Sequence, residues 1–175
     1  MPHTKDTLLR FLQNLGIATA TVDHPPLHTV EESRQLRGQI AGAHAKNLFV
    51  KDKKSRLFVV ATLEDAALDL KSLHHAIGAQ GRVSFGAAAL LEEVWGVRPG
   101  AVTPFGAIND TGNRVTMVLD AALMEHGLLN FHPLANTSTT SISARDLIAF
   151  LDATGHKPLI VPLPRQSGEA PGESL

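Results

Sequence analysis

The sequence predicts an α+β protein: a mixed, mainly antiparallel β-sheet that can curl into a barrel, with helices outside it. Three observations predict this. Two apolar runs, Leu48–Val50 and Leu57–Ala61, flank the polar turn Lys51-Asp52-Lys53-Lys54-Ser55-Arg56, which reads as a β-hairpin. Helical and strand-like segments follow one another without the regular βαβ alternation of a parallel sheet. No repeat and no linker divides the 175 residues, a length that suits one domain with a good core. The domain is expected to span 1–163. The Pro/Gly/Ser/Glu-rich stretch 164–175 has little apolar surface and is expected to be a disordered tail.

The elements follow in order. Leu8, Phe11, Leu12 and Leu15 recur at helical spacing and Gly16 stops them, so a helix is expected over about 5–15. Residues 17–22 alternate weakly, as a strand. His24-Pro25-Pro26 forces an extended loop, because proline restricts itself and the residue before it. Thr29-Val30-Glu31-Glu32 is a capping box opening a short helix to Arg37, with Gly38 as its C-cap. Both hairpin arms are apolar at consecutive positions, so both faces of each strand are expected to be covered.

The acidic stretch 64–69 reads as solvated. Leu70, Leu73 and Ile77 mark a helix ended by Gly78. Residues 82–85 read as a short strand, with Ser84 able to cap the helix of Leu90, Leu91, Val94 and Trp95, which Gly96 ends. Residues 97–110 hold two prolines and two glycines between apolar residues. Strands are expected at 115–119, 128–131 and 138–142. Ser143-Ala144-Arg145-Asp146 starts a last helix that runs to Gly155.

Composition excludes several chemistries. There is no cysteine, which removes disulfides, thiolate zinc sites and cysteine nucleophiles. Net charge is −1, so any nucleic acid contact must be local. No signal peptide is visible, and no apolar run reaches the roughly 18 residues of a membrane helix, so a cytoplasmic protein is expected. GxSxG, Walker A, GxGxxG and HExxH patterns are all absent. The nine histidines lack metal-ligand spacing: His74 and His75 are adjacent, and His24 and His28 flank two prolines. No metal and no cofactor are expected.

Three features remain. Alternation puts Lys46, Leu48 and Val50 on one strand face and Asn47 on the other. Lys46 either snorkels to water or faces an anionic ligand. The Gly100–Pro104 segment, rigidified by Pro99 and Pro104, can aim backbone N–H groups at an oxyanion, or can be an ordinary tight turn. His132, before Pro133, can be a positioned hydrogen-bond donor or a satisfied core histidine.

Together these segments resemble a family. Gly42 to Lys54 with Ala43-His44-Ala45-Lys46-Asn47, Val97 to Asp110 with Gly100-Ala101-Val102-Thr103-Pro104-Phe105-Gly106, and Asn130-Phe131-His132-Pro133-Leu134 with Asn136 resemble the YbaK-like aminoacyl-tRNA editing domains. His24-Pro25-Pro26, 29–32 and Asp69-Leu70-Lys71 also fit. Within the family the chain is similar to the prolyl-tRNA synthetase-associated, ProX/PrdX type. The resemblance implies a barrel-like, mainly antiparallel sheet ringed by helices. It implies hydrolysis of the ester joining a wrong amino acid to tRNA, with alanine on tRNA(Pro) as substrate and the tRNA 3′ end as partner. Prolyl-tRNA synthetase and EF-Tu are further partners to consider.

The implied catalytic residues are Lys46, on the terminal nucleotide, Gly100 and His132, with Asn47, Ala101, Val102, Thr103, Pro104, Phe105 and His28 lining the substrate pocket. Lys46 ranks above Asn47, since the two point to opposite faces. The basic tip Lys53-Lys54 reads as solvated first and tRNA-contacting second. Ala45 stands where the family has threonine, and His28 where it has an apolar residue. Water is the expected nucleophile, because an aminoacyl ester is already activated. The alternatives are deacylation of another amino acid (cysteine or serine), a non-catalytic module binding a tRNA end or a synthetase, and a small-molecule esterase.

Overall fold

The structure, a computed structural model, describes residues 1–26 and 30–167. Eight strands form one sheet: β1 (Ala20–Asp23), β2 (Ala43–Lys51), β3 (Leu57–Leu63), β4 (Ser84–Phe85), β5 (Val115–Asp120), β6 (Leu128–Phe131), β7 (Ser138–Ser143) and β8 (Leu159–Val161). Their order is β1-β7-β6-β2-β3-β5-β8, with β4 on β2. The β1–β7, β6–β7, β2–β3 and β2–β4 pairings are antiparallel, and β2–β6, β3–β5 and β5–β8 are parallel. Helices α1 (Lys5–Asn14), α2 (Val30–Gln39), α3 (Leu73–Ile77), α4 (Ala88–Trp95), α5 (Ala121–Met124) and α6 (Ala144–Ala153) flank it. The α+β, mainly antiparallel class expected from the sequence is what the structure shows.

The sheet buries both faces, and the register says how. Phe49, Val59, Ala61, Met117 and Leu119 share one face and meet Leu8 and Leu12 of α1, Trp95 of α4 and Leu147 and Phe150 of α6. Val50, Phe58, Val60 and Val118 share the other and meet Leu73 and Ile77 of α3. Consecutive apolar residues in β3 are therefore required, since each of its faces lies against a core.

Several expectations shift. Gly38 lies inside α2, which runs to Gln39. The capping box at 29–32 falls partly outside the described residues, as does His28. Ser84 does not cap α4, whose N-cap is Ala87 without a side-chain bond. The capping box at the start of α1 pairs Thr4 with Thr7, a threonine in place of the usual glutamate or glutamine. The stretch 64–69 is not simply solvated: Ala66 and Leu68 are buried in the second core. Arg165 and Gln166, in the expected tail, are held: Arg165 bridges to Leu68 and donates to the Asp120 carboxylate at 2.9 Å, and Gln166 N donates to the Ala67 carbonyl. Strand β8 and helix α5 carry too few residues to show a period.

The hairpin tip is fixed by one buried carboxylate. Asp52 accepts from the amides of Lys54, Arg56 and Gln80 and from the Arg56 guanidinium, each at 2.9 Å. Burial alone pushes the Asp52 carboxyl up, but these donors outweigh it and bring it to about 2. Its folded pKa lies below the unfolded value of about 3.9, so its stabilisation is present above pH 4 and is lost as pH falls toward 2. We expect Asp52→Asn to lower unfolding free energy by about 2 kcal/mol at pH 7 and to remove part of the loss between pH 4 and 2. Urea titrations at pH 7 and pH 3 check both, and equal destabilisation at the two pH values would contradict it.

Candidate active site

Strand β2 is paired unevenly. Its β3 edge is laddered from Ala45 to Lys51. Its other edge meets β6 at Ala43 and His44, and β4 at Val50 and Lys51. Between these contacts, residues 45–48 have no strand on that edge among the described residues. The cause is visible in the sequence. After Phe131 comes His132-Pro133, and proline cannot donate to a ladder; Leu134 then takes φ +69°, and the chain turns into β7. The β2–β6 junction is tight where it exists. Gly42 has φ +103°, and a Cβ there would stand 2.9 Å from both Asn130 Nδ2 and the Leu128 carbonyl oxygen. Asn130 Nδ2 donates to the Ala41 carbonyl at 2.9 Å, tying β6 to the start of β2.

Strand β6 ends at Phe131, so His132 lies just past the last β2–β6 pair, His44–Asn130. The Lys46 ammonium donates to the Ala66 carbonyl oxygen. Lys46 also lines a cavity of about 380 Å³ with Leu48, Glu64, Asp65, Leu70 and Gln166. His132 Nδ1 lies 2.9 Å from the Ser138 carbonyl oxygen. A carbonyl only accepts, so Nδ1 carries the proton and Nε2 is left bare. Burial holds the His132 imidazole below the usual histidine range; the Ser138 bond opposes this and His24 adds to it. His24 is a residue the sequence placed only in a loop. Its ring centroid is 6.3 Å from that of His132, and it donates from Nδ1 to the Pro25 carbonyl at 2.8 Å and takes the Thr139 hydroxyl on Nε2 at 2.9 Å.

Asn47 faces the other way, opposite Ala61, on the side of the first core, to which Ala101 and Phe105 belong. Its Oδ1 is buried with no hydrogen-bond partner among the described residues. An orphaned buried acceptor costs roughly 1–3 kcal/mol and marks a place for a donor. Gly100 is exposed at φ +93°, a conformation that favours glycine. Ala101 N donates to the Arg98 carbonyl at 3.0 Å, closing a turn. Among the described residues the Gly100 and Val102 amides donate to nothing. Thr103, Pro104 and Phe105 are buried. The Thr103 hydroxyl accepts from Phe105 N, its carbonyl accepts from Trp95 Nε1 at 2.6 Å, and Phe105 stands edge-on to Phe131 and Phe150. These three residues anchor the turn in the core, and Gly100 stands exposed at its tip. A cavity of about 590 Å³ lies beside it, lined among others by Arg98, Pro99, Ala101, Leu134 and Asn136.

Lys46 and Asn47 therefore face opposite sides of the sheet at the part of β2 that lacks a second strand neighbour, with Asn47 on the side of the core that contains Ala101 and Phe105. Among the described residues no group of three or more His, Asp or Glu could hold a metal ion, and no helix is long and apolar enough to cross a membrane. We expect His132 to titrate below 6.5, with Nδ1 protonated at pH 7. A depressed histidine pKa favours the neutral folded form, so the fold loses stability as pH falls below about 6.5. Nitrogen-15 shifts of the imidazole check this; a midpoint above 6.5 or a proton on Nε2 would contradict it.

The sequence profile of the aminoacyl-tRNA editing domain matches residues 24–150. The chain is 39% identical over 156 residues to "Prolyl-tRNA synthetase associated domain-containing protein 1" of Danio rerio, covering 88% of this chain and 84% of that one. It is 31% identical over 153 residues to "Prolyl-tRNA editing protein ProX" of Acetoanaerobium sticklandii, covering 87% and 93%. Its fold matches the crystal structure of "a putative trans-editing enzyme for prolyl tRNA synthetase" with a TM-score of 0.70 at 17% identity, covering 95% and 100% of the two chains.

Proposed function

Because the chain belongs to the aminoacyl-tRNA editing domain family, we propose that it is a trans-editing hydrolase that removes a wrong amino acid from tRNA, with Ala-tRNA(Pro) as its substrate. The observation that supports this reading is the edge of β2 left without a strand at residues 45–48, where Lys46 faces one side of the sheet and Asn47, with its buried unpartnered Oδ1, faces the other. The names of two relatives, one a prolyl-tRNA editing protein and one prolyl-tRNA synthetase-associated, support tRNA(Pro) as the carrier. Prolyl-tRNA synthetase and EF-Tu, which handle the same tRNA, are the proposed partners in the cytoplasm.

The chemistry asks little of the protein. Water adds to the ester carbonyl carbon, the bond to the ribose oxygen breaks, and the amino acid leaves as its carboxylate. The ester is already activated, so this reading needs neither a side-chain nucleophile nor a metal. In it, the Lys46 ammonium leaves Ala66 for the terminal phosphate or ribose. The Gly100 and Val102 amides hold the carbonyl oxygen as charge develops on it. The bare Nε2 of His132 accepts a hydrogen bond from the attacking water or the neighbouring ribose hydroxyl, which a neutral imidazole can do at pH 7. Asn47 Oδ1 takes the substrate's α-ammonium, the strong donor that an aminoacyl group offers. Exclusion by size then separates alanine from proline, completing a double sieve where a synthetase alone discriminates poorly.

The test is a panel of tRNA(Pro) charged with alanine, cysteine, serine or proline. We expect fast release of alanine and slow release of proline. Lys46→Ala is expected to slow alanine release on the order of a hundredfold. Faster release of cysteine or serine would move the specificity, rapid release of cognate proline would sink the editing role, and binding without turnover would leave a tRNA-end module.

A further inference from the structure

The proton on His132 Nδ1 has a cause in the backbone. Strand β7 pairs with β1 at Val22↔Thr139 and Asp23↔Ser138, and one step further on His24 N donates to the Thr137 carbonyl at 2.8 Å. In an antiparallel ladder, hydrogen-bonded and non-hydrogen-bonded pairs alternate. His24–Thr137 is of the first kind, so Asp23–Ser138 is of the second, and the Ser138 carbonyl faces away from β1, toward β6. The side chains agree. Ser138 Oγ donates to Asp23 Oδ1 at 2.6 Å, and the Thr21 and Thr140 hydroxyls lie 2.8 Å apart, the close approach that non-hydrogen-bonded pairs allow. On the other side, the β6–β7 ladder runs Leu129↔Ile142, Asn130↔Ser141, Phe131↔Thr140 and stops. Continued by two residues, it would call on the N–H of residue 133 to donate to the Ser138 carbonyl. Residue 133 is proline and has no N–H. Ser138 is 1% exposed, so water is no ready substitute. The donor that the carbonyl has instead is His132 Nδ1, at 2.9 Å.

We propose that Pro133 is a positioning residue for the deacylation: by withholding a ladder N–H it commits the Ser138 carbonyl to His132, fixes the imidazole as its Nδ1–H tautomer and keeps Nε2 free to accept from water or the ribose hydroxyl. This deepens the editing function above and rests on it. Any other residue at 133 would bring its own N–H to compete for the same carbonyl. The ring would then lose the bond that sets its tautomer, and an imidazole with its proton on Nε2 has no acceptor there to offer. The rest of the arrangement serves the same end. Asp23 holds Ser138 from the β1 side, and Lys5 Nζ donates to the same Asp23 oxygen at 3.0 Å, so the carbonyl is fixed in place. His24, the other imidazole nearby, does not compete for the His132 proton, because its Nδ1 donates to the Pro25 carbonyl and its Nε2 takes the Thr139 hydroxyl.

The experiment uses Pro133→Ala, alone and combined with His132→Ala. Thermal unfolding establishes that each variant folds, and Pro133→Gly, which supplies the same N–H, takes the place of an alanine variant that does not. Two readings need no substrate. Nitrogen-15 shifts of the imidazole are expected to show His132 with its proton on Nδ1 alone in wild type, and a clear Nε2–H population in Pro133→Ala. The new amide at 133 is expected to exchange with solvent at least about tenfold more slowly than an unstructured amide, since it takes the Ser138 carbonyl. On Ala-tRNA(Pro), Pro133→Ala is expected to lower kcat about tenfold and leave KM within about twofold, and His132→Ala to lower kcat about a hundredfold. The double variant should be no slower than His132→Ala, because Pro133 acts through the ring. A proline that merely stiffens its loop would cost the same factor with or without His132, and that additivity would overturn the proposal. So would a Pro133→Ala protein whose His132 keeps its proton on Nδ1 alone, a fast-exchanging amide at 133, or a wild type with the proton on Nε2. If wild type releases no amino acid, the editing reading fails by itself, and the tautomer and exchange readings still decide whether Pro133 sets the ring.

Discussion

Strand β2 is the constraint on which the molecule depends. A strand has two edges, and every backbone N–H and C=O on them needs a partner or water. On one edge, β3 satisfies β2 from Ala45 to Lys51. On the other, β6 and β4 each supply only two residues of ladder, and neither can extend far. Proline at 133 ends the first, and Gly86, packed against the Phe49 ring, turns the chain away after the second. The result is a break in an otherwise covered sheet. Such a break gives a ligand access to strand backbone and to side chains of both faces at one place, which an intact sheet does not allow. Lys46 and Asn47 point to opposite faces, yet both border the same opening.

That geometry bears on both residues. Period-two alternation in the sequence separated them correctly and treated the separation as a conflict. The conflict holds for a continuous sheet. At an open edge, Lys46 faces one side, and Asn47 faces the core to which Ala101 and Phe105 belong. The signal that could have revealed this is His132-Pro133 following a strand, which announces where a ladder must stop. Deducing which strand loses its neighbour there needs the parallel β2–β6 pairing, and that pairing joins residues more than eighty positions apart.

The local parts of the fold were legible for local reasons. Leu48–Val50 and Leu57–Ala61 mark the hairpin because both faces are buried. Gly78 and Gly96 end α3 and α4 in the left-handed conformation. Ser143 caps α6 through Asp146 N, as its spacing implies. Strand β8 was invisible because three residues show no period, and α5 because it is one turn capped by Asp120. The site residues divide in the same way. Lys46, Gly100 and His132 stand out by residue type and setting. His24 acquires meaning only from its distance to His132, and the empty valence of Asn47 only from burial. Asp52 reads in sequence as a turn former, while in the fold it is also the bond between the hairpin tip and the loop after α3.

The central claim is that the aminoacyl ester sits in the opening beside β2. A nitrogen-15 titration of the protein with 3′-deoxy-3′-(L-alanylamino)adenosine, in which an amide replaces the ester, tests it most directly. The account predicts saturable shifts at Lys46, Asn47, Gly100, Val102 and the His132 imidazole, with the Asn47 side chain among the largest. Shifts confined to the Arg98–Asn136 cavity or to the Glu64–Leu70 side, leaving Asn47 and His132 unmoved, would contradict it.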